Sequence, residues 1–290
     1  MTESPPVIGL RREREVLTVA LRTNRHVVLE GPPGTGKSTL LRSIAAEVGQ
    51  EVVFVEGNAE LTPARLIGQY DPAAVLADGY VPGSFTDGPL LTAMRGSGLL
   101  YLEELNRIPE ETLNVLITVL TEGEITVPRF GHVRAAAGFR LIAAMNPFDA
   151  VGTERISSAI YDRTCRIAMG YQTERAEQQI VETRTLDPDP QWRDRMVRMV
   201  RATRDHADIR VGASVRGAID AVGLARELAG LRGVPATDWQ VGLIAAKAAL
   251  TGRIKLHEAC NRTPEEVVAE LYEQEFGTDP DRGEGAPGEP

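Results

Sequence analysis

The sequence predicts an α/β fold: a layered αβα core around a parallel sheet, followed by a smaller all-α unit. Three observations carry that prediction. Short, nearly continuous apolar runs bounded by glycine and proline recur through residues 1–170, which is how strands buried on both faces read. Amphipathic helical stretches separate them, as crossovers between parallel strands require. Past about Tyr171 the strand pattern stops and helical periodicity alone continues. A chain of 290 residues has room for about two domains and for a large core built without disulfides.

In order, His26 to Glu30 (HVVLE) reads as the first strand and Lys37 to Val48 as an amphipathic helix. Glu51 to Glu56 (EVVFVE), Gly98 to Leu102 (GLLYL), Arg140 to Met145 (RLIAAM) and Arg163 to Met169 (RTCRIAM) complete five strands. Residues 70–88 and 123–138 are rich in turn formers and read as β-hairpin excursions from the sheet edge. They hold Tyr80, Phe85 and Phe130, the expected exposed aromatics of a chain that is only 5% aromatic. The texture changes near Gly170. In residues 171–276, Trp192, Met196, Met199 and Val200 recur at helical spacing, and further helical patterns cover 213–228, 238–250 and 264–275. The final stretch, 277–290 (GTDPDRGEGAPGEP), lacks large apolar residues and reads as a disordered acidic tail. No internal repeat is visible.

Several function classes are disfavoured at this point. The net charge of -9 argues against capture of nucleic-acid phosphates. Arg193, Arg195, Arg198, Arg201 and Arg204 are interleaved with Asp194, Asp205 and Asp208 and lack aromatic stacking platforms, so they read as a solvated helix face. Cys165 and Cys260 have no CxxC partner, and His26, His132, His206 and His257 show no metal spacing. The N-terminus does not read as a secretory signal, and Val241 to Leu250 is too short to span a bilayer. The expectation is a soluble, cytoplasmic protein without a membrane span.

The chemistry is concentrated in Gly31-Pro32-Pro33-Gly34-Thr35-Gly36-Lys37-Ser38, which fits G-x-x-x-x-G-K-[ST] between a strand and a helix. Its glycines let backbone N–H groups converge on phosphate oxygens at a helix N-terminus; Lys37 reaches the β- and γ-phosphates, and Ser38 ligands Mg²⁺. With Thr39, these residues form the expected nucleotide cradle; the alternative is a plain glycine-rich turn. Hydrolysis needs more: an acid near the metal, a group to orient water and a positive charge. Glu103 and Glu104 end a buried strand, where the carboxyl ends of parallel strands face the ligand crevice. Glu103 is expected in the Mg²⁺ shell, with Glu104 polarising the attacking water. Asn146 follows the next strand, placed to orient that water.

With GPPGTGKS (31–38), FTDGPLLTAMRGSGLLYLEELNRIPEETLNVLITVLTEGEI (85–125), LIAAMNPFDAVGTERISSAIYDRTCRI (141–167) and VGASVRG (211–217), the chain resembles the MoxR family of AAA+ ATPases, in its CbbQ/NorQ/GvpN branch. The resemblance implies an αβα P-loop NTPase core (AAA+) with a helical lid, ring assembly (usually hexameric), and ATP bound between subunits. Lys37 and Ser38 then form the Walker A pair, while Glu103 and Glu104 fill the Walker B positions. Asn146 matches sensor 1, Arg163 the arginine finger given to a neighbouring subunit, with Arg155 competing for that role, and Arg216 sensor 2. For Arg216 a solvated lid position weighs equally. Val7, Ile8 and Gly9 match the segment packed beside adenine, residues 70–88 the helix-2 insert, and residues 123–138 the pre-sensor-1 hairpin. Family members usually carry Asp at Glu103, Phe at Thr164 and Pro at Val215. The implied activity is an ATP-driven remodelling of a client protein, including metal or cofactor insertion, with a von Willebrand factor A domain partner. A nucleotide-gated scaffold with slow turnover and a nucleic-acid motor are the competing readings.

Overall fold

The structure is a computed structural model describing residues 7–96, 98–147, 156–185 and 189–280. The chain divides into two compact units, Met1–Gly170 and Tyr171–Pro290. In the first unit, α1 (Arg11–Arg22) leads into β1 (His26–Glu30), which the glycine-rich loop joins to α2 (Lys37–Val48). Then come β2 (Val52–Glu56), α3 (Pro63–Ile67), β3 (Gly68–Tyr70), α4 (Pro72–Asp78), β4 (Phe85–Asp87) and α5 (Pro89–Arg95). They are followed by β5 (Leu99–Glu103), α6 (Glu110–Glu122), β6 (Glu124–Val127), β7 (Gly131–Arg134), β8 (Arg140–Met145), α7 (Ser158–Asp162) and β9 (Thr164–Ala168).

Five of these strands form one parallel sheet, in the order β2-β5-β8-β1-β9. Alternate residues of each strand enter opposite layers, as the two-residue period of a strand requires. Val27, Leu29, Tyr101, Ile142 and Ala144 pack with Leu17 of α1 and Leu40, Leu41 and Ile44 of α2. Val28, Leu100, Leu102, Leu141 and Ala143 pack with Leu90, Leu91 and Met94 of α5 and Leu113 and Leu116 of α6. Both faces are therefore covered, which is why β8 is buried along its whole length and shows no polar alternation.

Residues 123–138 hold the antiparallel hairpin expected there, β6 with β7. The 70–88 excursion is different. Strands β3 and β4 do pair antiparallel, but α4 and a 3₁₀ turn (Pro82–Ser84) stand between them, so it is a short ladder capped by a helix rather than a plain hairpin. Pro72 at the first helical position and Asp71, whose carboxylate accepts from Ala73 N at 2.8 Å, start that helix. The two excursions are joined by aromatics. Phe85 lies 4.5 Å from Phe130 and 5.1 Å from Tyr70, which also meets Tyr80 edge-on at 4.9 Å. Arg129 stacks over Tyr80 and Arg95 over Phe130. Phe85 and Phe130 are consequently half-buried, against the expectation of exposure, and the exposed large apolar residues of the two excursions are Leu76, Tyr80 and Val81.

The second unit contains α8 (Glu174–Arg184), α9 (Pro190–Ala202), β10 (Ile209–Val211), α10 (Val215–Arg232), α11 (Trp239–Leu250), β11 (Lys255–Leu256) and α12 (Pro264–Phe276). It is helical apart from the short antiparallel pair β10–β11, which the sequence reading lacks because two- and three-residue strands carry no periodicity. Trp192, Met196, Met199 and Val200 are buried in its core, and α10 and α11 approach through Ala218, Ala221, Ala225, Ala245, Ala246 and Ala249. The arginines at 193, 195, 198, 201 and 204 are only in part the solvated face expected of them: Arg198 is exposed, but all are held by carboxylates. Arg193 is buried beside Asp194 at 3.0 Å, Arg198 pairs with Glu275 at 2.8 Å, and Arg201 and Arg204 both lie 2.9 Å from the buried carboxylate of Glu177. Gly277 and Asp279 are also held, by Trp239 Nε1 at 2.9 Å and Gln240 Nε2 at 2.5 Å, so the tail expected from 277 is anchored at its start; residues 281–290 lie outside the described residues.

Candidate nucleotide site

The glycine-rich loop leaves the carboxyl end of β1, a central strand of the sheet. Gly34 and Gly36 have φ of 76° and 91°, left-handed values that a side chain would strain. Gly31 is needed for a different reason: a Cβ there would run into the carbonyl of Met169. The buried Thr35 donates to Pro32 O at 3.0 Å and fastens the loop to itself, while Lys37 Nζ donates to Gly31 O at 2.8 Å and Pro32 O at 2.9 Å. Helix α2 opens at Gly36 with no side-chain cap, and its first intrahelical bond is Leu40 N to Gly36 O. The N–H groups of Lys37, Ser38 and Thr39 thus precede the helical ladder, where an anion is favoured by both hydrogen bonding and the helix dipole.

Ser38 and Glu103, far apart in sequence, meet: Ser38 Oγ donates to Glu103 Oε1 at 2.7 Å. One hydroxyl and one carboxylate are the hard oxygen donors that suit Mg²⁺, which takes few protein ligands when it rides on nucleotide phosphates. Among the described residues no three His, Cys, Asp or Glu side chains converge as a metal cage. Ser38 and Glu103 fit a nucleotide-borne Mg²⁺. Glu104 has φ 54°, a left-handed value at a non-glycine residue, and its carboxylate lies 2.9 Å from Arg107 Nε. Asn146 follows β8 directly. Gly31 N donates to Met145 O at 3.2 Å, which sets Asn146 beside the loop, and Asn106 Nδ2 donates to its carbonyl at 3.3 Å. Ser38, Glu103, Glu104 and Asn146 therefore share the carboxyl edge of the sheet with the loop.

Other expected site residues lie elsewhere. Arg163 ends α7 immediately before Thr164, which pairs with His26 at the opposite end of β1. The four steps from His26 to Glu30 span about 13 Å, so Arg163 sits across the sheet from its own phosphate loop. Its guanidinium donates there to Thr121 Oγ1 at 2.6 Å and to Ala159 O at 2.9 Å. Arg155 lies outside the described residues. Arg216 is exposed in the first turn of α10, in the second unit. Val7 packs on the same layer as α2, and Ile8 and Gly9 lead into a left-handed turn at Gly9 and Leu10, φ 70° and 54°.

Two features escape the sequence reading. Glu30, last in β1 and buried, accepts from Tyr161 Oη and Arg166 Nε. Burial, reinforced by that carboxylate, pushes the Tyr161 phenol up to about 12, so it stays a donor. Tyr101, two residues before Glu103 on the same strand face, brings its hydroxyl to Ser38 and Glu103, and burial likewise pushes its phenol up. The alternation of β5 signals which face Tyr101 takes; nothing local signals the Glu30–Arg166 pair.

The strand order, the phosphate loop and the helical unit after them define a P-loop protein of the AAA+ class. Residues 26–164 match the AAA domain of the dynein-related subfamily. The gas vesicle ATPase GvpN of Haloferax mediterranei is 29% identical over 208 residues, 66% of this chain. The chain spans only 60% of that relative's length. Among solved structures, a RuvB variant of Thermotoga maritima superposes with a TM-score of 0.57 at 18% identity, covering 83% of this chain and 71% of RuvB. NtrX of Brucella abortus, solved with ADP, does so with a TM-score of 0.54 at 19% identity, covering 77% of this chain and 51% of NtrX. At those identities the likeness is one of fold. Together these matches agree with the MoxR-like AAA+ resemblance drawn from the sequence: the chain carries an AAA domain over residues 26–164 and is similar to GvpN. No helix among the described residues is long and apolar enough to cross a membrane.

Proposed function

We propose that this protein is a cytoplasmic, MoxR-like ATPase that hydrolyses ATP in a ring assembly, a homo-hexamer in the simplest form, and uses the cycle to remodel a client protein. The observation that carries the reading is the 2.7 Å approach of Ser38 to Glu103, which joins the phosphate loop to the strand that also delivers Glu104. In this reading ATP lies on the loop with its phosphates against the α2 amides and Lys37, and Ser38 and Glu103 hold Mg²⁺, which supplies charge neutralisation at the β- and γ-phosphates. Glu104 accepts a proton from the attacking water and Asn146 orients it.

Arg163 supports the ring. Because it lies at the far edge of the sheet from its own loop, it can neutralise a γ-phosphate only when a neighbouring subunit presents one. Leu76, Tyr80 and Val81 on the helix-capped excursion are the surface offered to the client, and a von Willebrand factor A domain protein is the expected partner. The related GvpN is a gas vesicle ATPase, which makes assembly or maturation of a multi-subunit client the nearest task.

The test is Glu104→Gln. It should bind ATP like the wild type and lower steady-state phosphate release at least about a hundredfold, the lower end of what a general base contributes. Wild-type turnover in that variant would remove Glu104 from its assigned role. A slow nucleotide-gated scaffold is the competing reading, favoured by Glu103 and by the Glu104–Arg107 pair. Specific activity measured against protein concentration separates them: it climbs as a working ring assembles and stays near zero for a scaffold.

A further inference from the structure

We propose that Tyr101 is a positioning residue of the magnesium site, its hydroxyl holding the glutamate carboxylate of Glu103 in line with Ser38. The proposal rests on the reading above that Ser38 and Glu103 serve nucleotide-borne Mg²⁺. Tyr101 and Glu103 are two apart on β5 and so project from the same face, the face that packs on α2. Three oxygens meet there. Ser38 Oγ is 2.7 Å from Glu103 Oε1, Tyr101 Oη is 3.2 Å from Ser38 Oγ, and Tyr101 Oη is 3.4 Å from Glu103 Oε1.

The phenol is suited to this. Its residue is 1% exposed in a central strand, with its ring 5.7 Å from that of Phe54, so the hydroxyl cannot swing away. A polar atom at that depth needs partners, and Ser38 and Glu103 are the partners it has. A phenylalanine would fill the same space; the hydroxyl adds only these two contacts. The need for it follows from the side chain it touches. A glutamate has one more rotatable bond than an aspartate, and its carboxylate samples more positions unless a neighbour restrains it. Both hydroxyls approach the same oxygen, Oε1, which fixes the carboxylate before any cation arrives. Ser38, when its oxygen serves the cation, keeps two acceptors beside it for its proton.

The experiment is binding of a fluorescent ATP analogue to the full chain, titrated with Mg²⁺, in wild type, Tyr101→Phe, Glu103→Asp and the double variant. Tyr101→Phe should raise the half-saturating Mg²⁺ concentration roughly tenfold, the usual cost of losing a group that orients a metal ligand. Its nucleotide affinity in EDTA should match the wild type, which also shows that the phosphate loop is folded. With aspartate at position 103 the shorter carboxylate retreats from the phenol, so removing the hydroxyl in that background should change the Mg²⁺ midpoint less than about twofold. An unchanged Mg²⁺ midpoint in Tyr101→Phe overturns the proposal, as do equal shifts in the two backgrounds. A wild type whose nucleotide binding ignores Mg²⁺ overturns the assignment of Ser38 and Glu103 and, with it, this one.

Discussion

Replacing Arg166 by methionine tests whether the phosphate loop stands on a buried carboxylate. Glu30 is 5% exposed, directly precedes Gly31, and accepts from Arg166 Nε and Tyr161 Oη. Removing one partner of a buried pair costs about 3–5 kcal/mol, because the remaining charge is stranded. Two features reduce that here: the Arg166 side chain is 58% exposed, and Tyr161 still donates after the change. A loss of roughly 2 kcal/mol is the expected balance. For a unit of this size that lowers the melting temperature by about 4–8 °C. Calorimetry is the assay, since two compact units can melt separately, and the relevant transition is the one that nucleotide shifts upward. Glu30→Gln/Arg166→Met should be more stable than Arg166→Met alone, because an amide accepts the tyrosine bond without demanding a counter-charge. Nucleotide affinity should weaken in the single variant and recover in the double. A single variant melting within about 1 °C of wild type, or a double variant no better than the single, would refute the role given to Glu30.

Three further outcomes follow from particular contacts. Burial, and then the Arg140 charge, lower His26 from 6.5 to about 4, and its Nδ1 accepts from Leu141 N at 2.9 Å. The unfolded chain therefore binds a proton that the folded one refuses, so stability is full above pH 6.5 and declines towards pH 4 by on the order of 3 kcal/mol; His26→Gln should flatten that stretch of a denaturation-versus-pH curve. Phe130→Ala removes the ring 4.5 Å from Phe85, and amide exchange should rise in residues 68–87 as well as in β6 and β7. Exchange confined to the hairpin would show the excursions to be independent. Glu177→Gln leaves Arg201 and Arg204 without their shared carboxylate and should destabilise the second unit by about 3 kcal/mol, read from its own melting transition.

The legible parts of the molecule are those written in short-range pattern. HVVLE and RLIAAM form strands over the residues expected because continuous apolar runs between glycines and prolines leave little else, and Lys37–Val48 is the helix its periodicity indicates. The capped excursion at 70–88 was less legible. Its glycines and prolines indicate turns, but Asp71-Pro72 also starts a helix, and local composition does not choose between them. The arginines of α9 look like a solvated face because their carboxylates, Glu177 and Glu275, come from other helices.

The same division runs through the site. Residues 31–38 specify a phosphate cradle on their own, because the φ angles of Gly34 and Gly36, the bond from Thr35 to Pro32 and the opening of α2 are all set within eight consecutive positions. Tertiary structure decided the rest. Parallel pairing of β1, β5 and β8 carries Glu103 to Ser38 and sets Asn146 beside the loop, and the pairing of β9 with β1 leaves Arg163 at the opposite edge of the sheet. It also placed the Tyr101 hydroxyl beside both Ser38 and Glu103 and gave Glu30 its two donors. The reason is physical: a strand or turn is determined by neighbours two to four positions away, whereas a hydrogen bond between strands depends on register, which the packing of both sheet faces selects.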